Sequence, residues 1–169
     1  MIYLDSAATS LHKPPQVAQA VADAILHLGN AGRGAHEATL SAGRVIYEAR
    51  EKLAELFGVN DPTRVCMMFN TTDALNTAIG GLIRPGDHVV TTEAEHNSVL
   101  RPLYRAEQCG AQLTIVPMDR TTGRVEERDI IAAIRPDTRA VVCAPASNVT
   151  GNVMDIGTIG VCCRAHGLF

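Results

Sequence analysis

Tryptophan is absent from these 169 residues, and phenylalanine and tyrosine bring the aromatic share to only 4%. Lysine is nearly absent too, with Lys13 and Lys52 the only two. The fifteen basic residues are scattered, the formal charge is −3, and no run of Lys and Arg could track a phosphate backbone, which argues against nucleic acid as a partner. No stretch of about eighteen apolar residues exists, so a membrane is not expected either. The first ten residues, "MIYLDSAATS", lack the basic start and apolar centre of a signal peptide. The five cysteines (Cys66, Cys109, Cys143, Cys162, Cys163) form an odd set without C-x-x-C spacing, which speaks against a disulfide framework and against a metal site. A reducing cytoplasm is the expected setting.

What is present is ordinary globular material: 46% apolar and 20% charged, in a length suited to one core. Val17, Val21, Ala24, Ile25 and Leu28 form a helical stripe that should start after "KPP" and stop at Gly29. A glycine-rich loop, "GNAGRGAHE", precedes a long helix expected from about 36 to 57, closed by Gly58, with Glu48 and Lys52 spaced as an i,i+4 pair. The period then changes. "RVCMMF" (64–69), "HVVTT" (88–92), "QLTIVP" (112–117) and "RAVVCA" (139–144) read as strands buried on both faces. Amphipathic stretches at 73–83, 99–109 and 126–134 lie between them, and a further helix should close at Gly167 before "LF" opens one more apolar run. Alternating strands and helices predict an α/β fold with a largely parallel sheet and helices on both faces. The expected organisation is a single partial domain over 1–169, with an N-terminal arm at about 1–14.

The stretch "FNTTDALNTAIGGL" places two hydroxyls where an apolar run ends and a helix begins. A helix N-terminus has unpaired N–H groups and a partial positive charge, so Thr71 and Thr72 could hold a phosphate there. The plainer reading makes Thr71 an N-cap with Asp73 complementing the dipole. "TTEAEHNSVLRP" puts His96 just beyond the second run, before a helix that Asn97 or Ser98 should cap, and "APASNVTGN" puts Asn148 beyond the fourth. In parallel βα folds such positions line the ligand crevice, where an imidazole can stack on a flat cofactor or move a proton, and an amide can donate and accept. Taken singly, a solvated loop histidine and an Asn-containing turn are the commoner roles. Neither G-x-x-x-x-G-K nor G-x-G-x-x-G occurs, which weakens a nucleotide-binding reading.

"YLDSAATS", "GRGAHE", "NTTDALN", "EHNSVLRPL", "TRAVVCAPASNVTGN" and "CRAHG" together resemble, in order and spacing, the first half of the class V aminotransferase family, nearest its cysteine desulfurase and selenocysteine lyase branch. The resemblance implies the N-terminal part of a fold type I large domain that uses pyridoxal 5′-phosphate (PLP). It implies that Thr72, with the backbone of Thr71, holds the cofactor phosphate, that His96 stacks on the ring and helps move a proton, and that Asn148 bonds the cofactor hydroxyl or the substrate. Arg33 and His36 are implied at the mouth of the site. A small amino-acid substrate, a homodimer and a sulfur-acceptor protein are the implied partners, with cleavage of a C–S or C–Se bond leaving alanine. The family's Schiff-base lysine, its acidic partner for the pyridine nitrogen and its persulfide cysteine are expected beyond residue 169, so the chain alone should be inactive. Cys162 and Cys163 are expected to pack as small hydrophobes. The alternative is a non-catalytic phosphate- or cofactor-binding or dimerisation module.

Overall fold

The computed structural model describes residues 2–169, which fall into two compact units that divide between Met67 and Met68. In the first, the Tyr3 hydroxyl donates to the carbonyl of Thr9 at 2.6 Å and closes the N-terminal arm on itself. Helix α1 (Pro15–His27) begins with proline in its first turn, where a missing N–H costs nothing. Helix α2 (Glu37–Phe57) ends at Gly58, whose φ of 65° is open to glycine at little cost, and the Val59 N–H returns to Ala54 O at 2.8 Å. The ion pair on α2 is Arg44 with Glu37 at 2.9 Å, not the Glu48–Lys52 pair that the spacing suggested. Much of the apolar stripe of these helices is uncovered: Val21 is 55% exposed and Ile25 78%.

The first expected strand does not form. Pro62–Arg64 is a single 3-10 turn, and residues 65–69 run on without a ladder partner among the described residues. Phe69 is 92% exposed, so the segment is not a buried strand here. An apolar run supplies the side chains for a strand but not the neighbouring backbone whose N–H and C=O groups must pair with it.

The second unit starts with helix α3 (Thr71–Leu82), two residues earlier than expected, and continues with strand β1 (His88–Thr92), helix α4 (Asn97–Gln108), strand β2 (Gln112–Val116), helix α5 (Glu127–Ala132), strand β3 (Thr138–Val141) and helix α6 (Ile156–Ala165). The sheet is parallel, in the order β2-β1-β3, with His88 opposite Gln112 and Thr92 opposite Val116. Parallel neighbours need crossovers, which the helices provide. All five residues of β1 are buried, because both edges are paired and both faces covered.

Successive residues of β1 serve opposite faces. Val89, with Leu113 and Ala140 beside it, packs on Ile79 and Ile83 around α3 and on Val99 and Leu103 of α4. Val90, Val116 and Val141 face Ile130 of α5 and Ile159 and Cys163 of α6. Beyond β3, Phe169 continues the ladder: Val141 N–H donates to Phe169 O at 2.9 Å and Phe169 N–H to Arg139 O at 3.2 Å. The Arg139 guanidinium lies 4.4 Å from the centre of the Phe169 ring.

All five cysteines are free. Cys163 packs in the core beside α5, while Cys162 is half-buried with its Sγ 3.7 Å from His166 Nδ1. Burial pushes the Cys143 thiol up to about 11, so it stays protonated and unreactive at neutral pH.

Candidate functional site

The start of α3 answers the question posed by its two threonines. Asn70 is the N-cap: its Oδ1 accepts the Asp73 N–H at 2.9 Å, while Asp73 Oδ2 accepts the Phe69 N–H at 3.3 Å. This reciprocal arrangement displaces the sequence reading in which Thr71 caps. Thr71 and Thr72 are instead the first two helical residues. Their N–H groups have no intrahelical acceptor, and their hydroxyls have no partner among the described residues. Replacing Asn70 with alanine should cost the unit about 1 kcal/mol, read from urea unfolding followed by circular dichroism.

The loop between β1 and α4 is stitched to both neighbouring strands. Glu93 N–H donates to Val116 O at 2.9 Å, and its carboxylate accepts Met118 N–H and Arg120 Nη2, each at 2.9 Å. Glu95, on the other side, accepts the Ala144 N–H at 2.6 Å and the Thr92 hydroxyl at 3.2 Å. Burial raises the Glu95 carboxyl above its ordinary value, and the bonds from Ala144 and Thr92 only partly oppose this. Glu95 Oε2 and Thr91 Oγ1, both at this end of β1, are buried without a hydrogen-bond partner. Unpaired buried polar atoms are costly, and they cluster where a structure serves something besides stability.

His96 is the N-cap of α4, in place of Asn97 or Ser98. Its Nδ1 accepts the Ser98 N–H at 3.1 Å and lies 2.8 Å from Ser98 Oγ. An Nδ1 that accepts must be unprotonated, which leaves the proton of the neutral ring on Nε2. The cap therefore fixes both the tautomer and the base of an otherwise exposed imidazole.

Asn148 sits at the tip of the loop after β3. Ser147 Oγ accepts the N–H groups of Val149 and Thr150, each at 3.2 Å, and Gly151 N–H donates back to Ser147 O at 3.0 Å with φ of 72°. The Asn148 amide is exposed and has no side-chain partner among the described residues.

Two clefts meet at His96. One, of about 450 Å³, is lined by Thr72, Asn76, His96, Asn97, Ser98, Arg101 and Arg105. The other, of about 340 Å³, includes Glu95, His96, Ser147, Asn148 and Thr150. Thr72 and His96 thus share one cleft, and His96 and Asn148 share the next. Arg33 and His36 belong to the other unit. His36 immediately precedes α2, with its Nε2 3.1 Å from Thr39 Oγ1, and Arg33 is exposed, its carbonyl accepting the Thr39 hydroxyl at 3.4 Å.

The family model described as "Aminotransferase class-V" matches residues 2–169. The chain belongs to this family. Within it, the chain is 32% identical over 99% of its length to cysteine desulfurase IscS of Acinetobacter baumannii (strain AYE), covering 43% of that protein. It is 34% identical over 94% of its length to a probable cysteine desulfurase of Methanothermobacter thermautotrophicus, covering 40% of it. Among solved structures, it superposes on the apo cysteine desulfurase of Thermococcus onnurineus NA1 with a TM-score of 0.88 and 27% identity, over 99% of this chain and 42% of that one. The cysteine desulfurase CsdA of Escherichia coli gives 0.78 and 28%, over 98% and 43%. The chain spans about two-fifths of the length of the relatives it matches. The fold is that of fold type I PLP enzymes, and the family is PLP-dependent.

The residues of the second unit suit part of that cofactor. Unpaired N–H groups and hydroxyls at the start of α3 are chemically matched to a phosphate, and an anchored imidazole beside them is matched to an aromatic ring. Covalent capture of an aldehyde needs an amine, and Met68–Phe169 contains no lysine.

Sequence reasoning missed Glu93 and Glu95. The signal was "TEAEH", two carboxylates flanking one alanine at a strand end, directly before the histidine.

Proposed function

We propose that this chain provides the phosphate- and ring-holding part of a PLP-dependent cysteine desulfurase, with selenocysteine as the alternative substrate, and that it is inactive alone. The observation that carries this reading is the pair of clefts that share His96, with Thr72 lining one and Asn148 the other. Thr71 and Thr72 would donate two backbone N–H groups and two hydroxyls to the cofactor phosphate. His96, held by Ser98, would lay its imidazole on the pyridine ring and carry a proton at Nε2. Asn148 would bond the ring hydroxyl or the substrate carboxylate. When bound, the cofactor supplies an electron sink that stabilises negative charge at the substrate α-carbon. Arg33 and His36 are proposed at the substrate mouth, and a homodimer and a sulfur-acceptor protein as partners. Five free cysteines suit a reducing cytoplasm.

The test is a titration of the chain with pyridoxal 5′-phosphate and, in parallel, with pyridoxal. The phosphorylated compound should bind about tenfold tighter or better, and Thr72→Val should weaken it about tenfold while leaving pyridoxal unchanged. Equal affinity for the two compounds would refute the phosphate site. Borohydride treatment should leave no stoichiometric adduct; one at Lys13 or Lys52 would overturn the reading of a purely noncovalent holder.

A further inference from the structure

Glu95 is the buried titratable group beside the two clefts to which the proposed chemistry gives no task. It is 9% exposed, yet it is an acid whose burial opposes ionisation. Both hydrogen bonds go to Oε1, and Oε2 has none. Burying a carboxyl with one oxygen unpaired in the protein is costly.

What Glu95 gains for that cost is a link across 49 residues of sequence. β3 ends at Val141, and Val142 N–H still donates to Val90 O at 2.9 Å. From there the chain leaves the sheet, and the Ala144 N–H is held by Glu95 alone. Four residues later it reaches Asn148. At the other end of the link, Glu95 is the immediate neighbour of His96, and Glu95, His96 and Asn148 line the same cleft. No described hydrogen bond joins His96 or its neighbour Asn97 directly to the loop after β3.

We propose that Glu95 is a positioning residue which, by reaching Ala144 N–H, sets the separation between the loop carrying His96 and the loop carrying Asn148, and so the width of the cleft between them. The function of that width rests on the cofactor reading above; the link itself does not. Reach is the operative property. Glutamine has the same length and a carbonyl oxygen for Ala144, whereas aspartate keeps the charge but is one methylene short.

The experiment uses the whole ¹³C,¹⁵N-labelled chain, with pyridoxal 5′-phosphate and inorganic phosphate as probes. In the wild type the Ala144 amide resonance should follow the titration of the Glu95 carboxyl carbon. E95D and E95A should speed Ala144 amide exchange about tenfold while Val89 and Val90 stay protected, and should weaken pyridoxal 5′-phosphate about fivefold with inorganic phosphate unchanged. E95Q should match the wild type in Ala144 exchange and in both affinities, and its Ala144 resonance should lose the pH dependence that the carboxyl confers. A purely structural role would move both probes together and would not separate glutamine from aspartate.

An Ala144 amide that ignores Glu95 ionisation in the wild type, or a ratio of the two affinities unchanged in E95D, overturns the proposal. If the wild type takes up no pyridoxal 5′-phosphate, the cofactor reading fails by itself. The link is then decided by Ala144 exchange and by the His96 ring and Asn148 amide resonances, which E95D should shift and E95Q should not.

Discussion

Truncating Leu103 to alanine should lower the unfolding free energy of the second unit by about 2–5 kcal/mol. Leu103 is fully buried on the inner face of α4, among Ile79, Val89, Val99 and Ala140. These neighbours come from α3, β1, α4 itself and β3, so the side chain fastens two helices to one face of the sheet. The surrounding side chains are themselves held by the sheet and the two helices, so they should relax only partly into the gap. Leu103→Met conserves volume and should cost under about 1.5 kcal/mol. Urea unfolding followed by far-ultraviolet circular dichroism separates the two, with the midpoint moving and the slope constant. A loss under about 1 kcal/mol for the alanine variant would mean that this face is not close-packed.

The same residue bears on the candidate site. His96 caps the helix that Leu103 anchors, and Thr72 opens the helix against which Leu103 packs through Ile79. The cleft shared by Thr72 and His96 is therefore as well defined as the packing of α3 on α4. Among the described residues no side-chain hydrogen bond or ion pair joins α3 to α4, so apolar packing holds the two helices together.

The parallel core was legible because its strands are short apolar runs with β-branched residues, separated by segments of helical period. Three of the four runs, those of β1, β2 and β3, pair with one another in the sheet. "RVCMMF" has equally good composition and fails because a ladder partner is a property of the rest of the fold, not of the segment. The caps were misread for a chemical reason. Asn70 Oδ1 and His96 Nδ1 sit two bonds from their Cβ atoms, at the reach from which an acceptor meets the N–H two or three residues on. Histidine is not among the usual N-caps, and the hydroxyls of Thr71 and Ser98 are competing cap signals one or two residues on. Glu95 was invisible for another reason: periodicity carries no information about an amide 49 residues away. The positions of His96 and Asn148 after β1 and β3 were legible because a strand end is marked directly in the sequence, whereas the threonine pair follows a segment that forms no strand.

Acidification should weaken the fold through His88, at the opposite end of β1 from the clefts. This ring is fully buried between two hydroxyls, with Nδ1 2.8 Å from Thr138 Oγ1 and Nε2 2.8 Å from Thr114 Oγ1. Thr138 Oγ1 also accepts the Arg135 N–H at 2.7 Å, and the neutral ring satisfies both hydroxyls by donating from one nitrogen and accepting at the other. A second proton on the ring would point at the hydroxyl that donates to it and force that hydroxyl to find another acceptor. Burial holds the His88 pKa below its ordinary value of 6.5; the Arg135 guanidinium adds to the effect, and Asp137, bonded to Arg135 at 2.8 and 2.9 Å, opposes it. For a base held neutral in the fold, the unfolded chain takes up the proton first. The stability owed to this group is complete above pH 6.5 and is lost as pH falls from there toward the folded-state value, by at most about 1.4 kcal/mol per pH unit. His88→Gln should remove that slope, which isolates it from the other histidines and the carboxylates. Thr138→Val should cost about 1–3 kcal/mol for each of the two groups it orphans, Arg135 N–H and His88 Nδ1, even at pH 8. Thr138→Ser keeps the hydroxyl and should restore most of that loss. If the valine and serine variants unfold at the same urea concentration, the hydroxyl does not hold the histidine neutral and the pH slope must come from elsewhere.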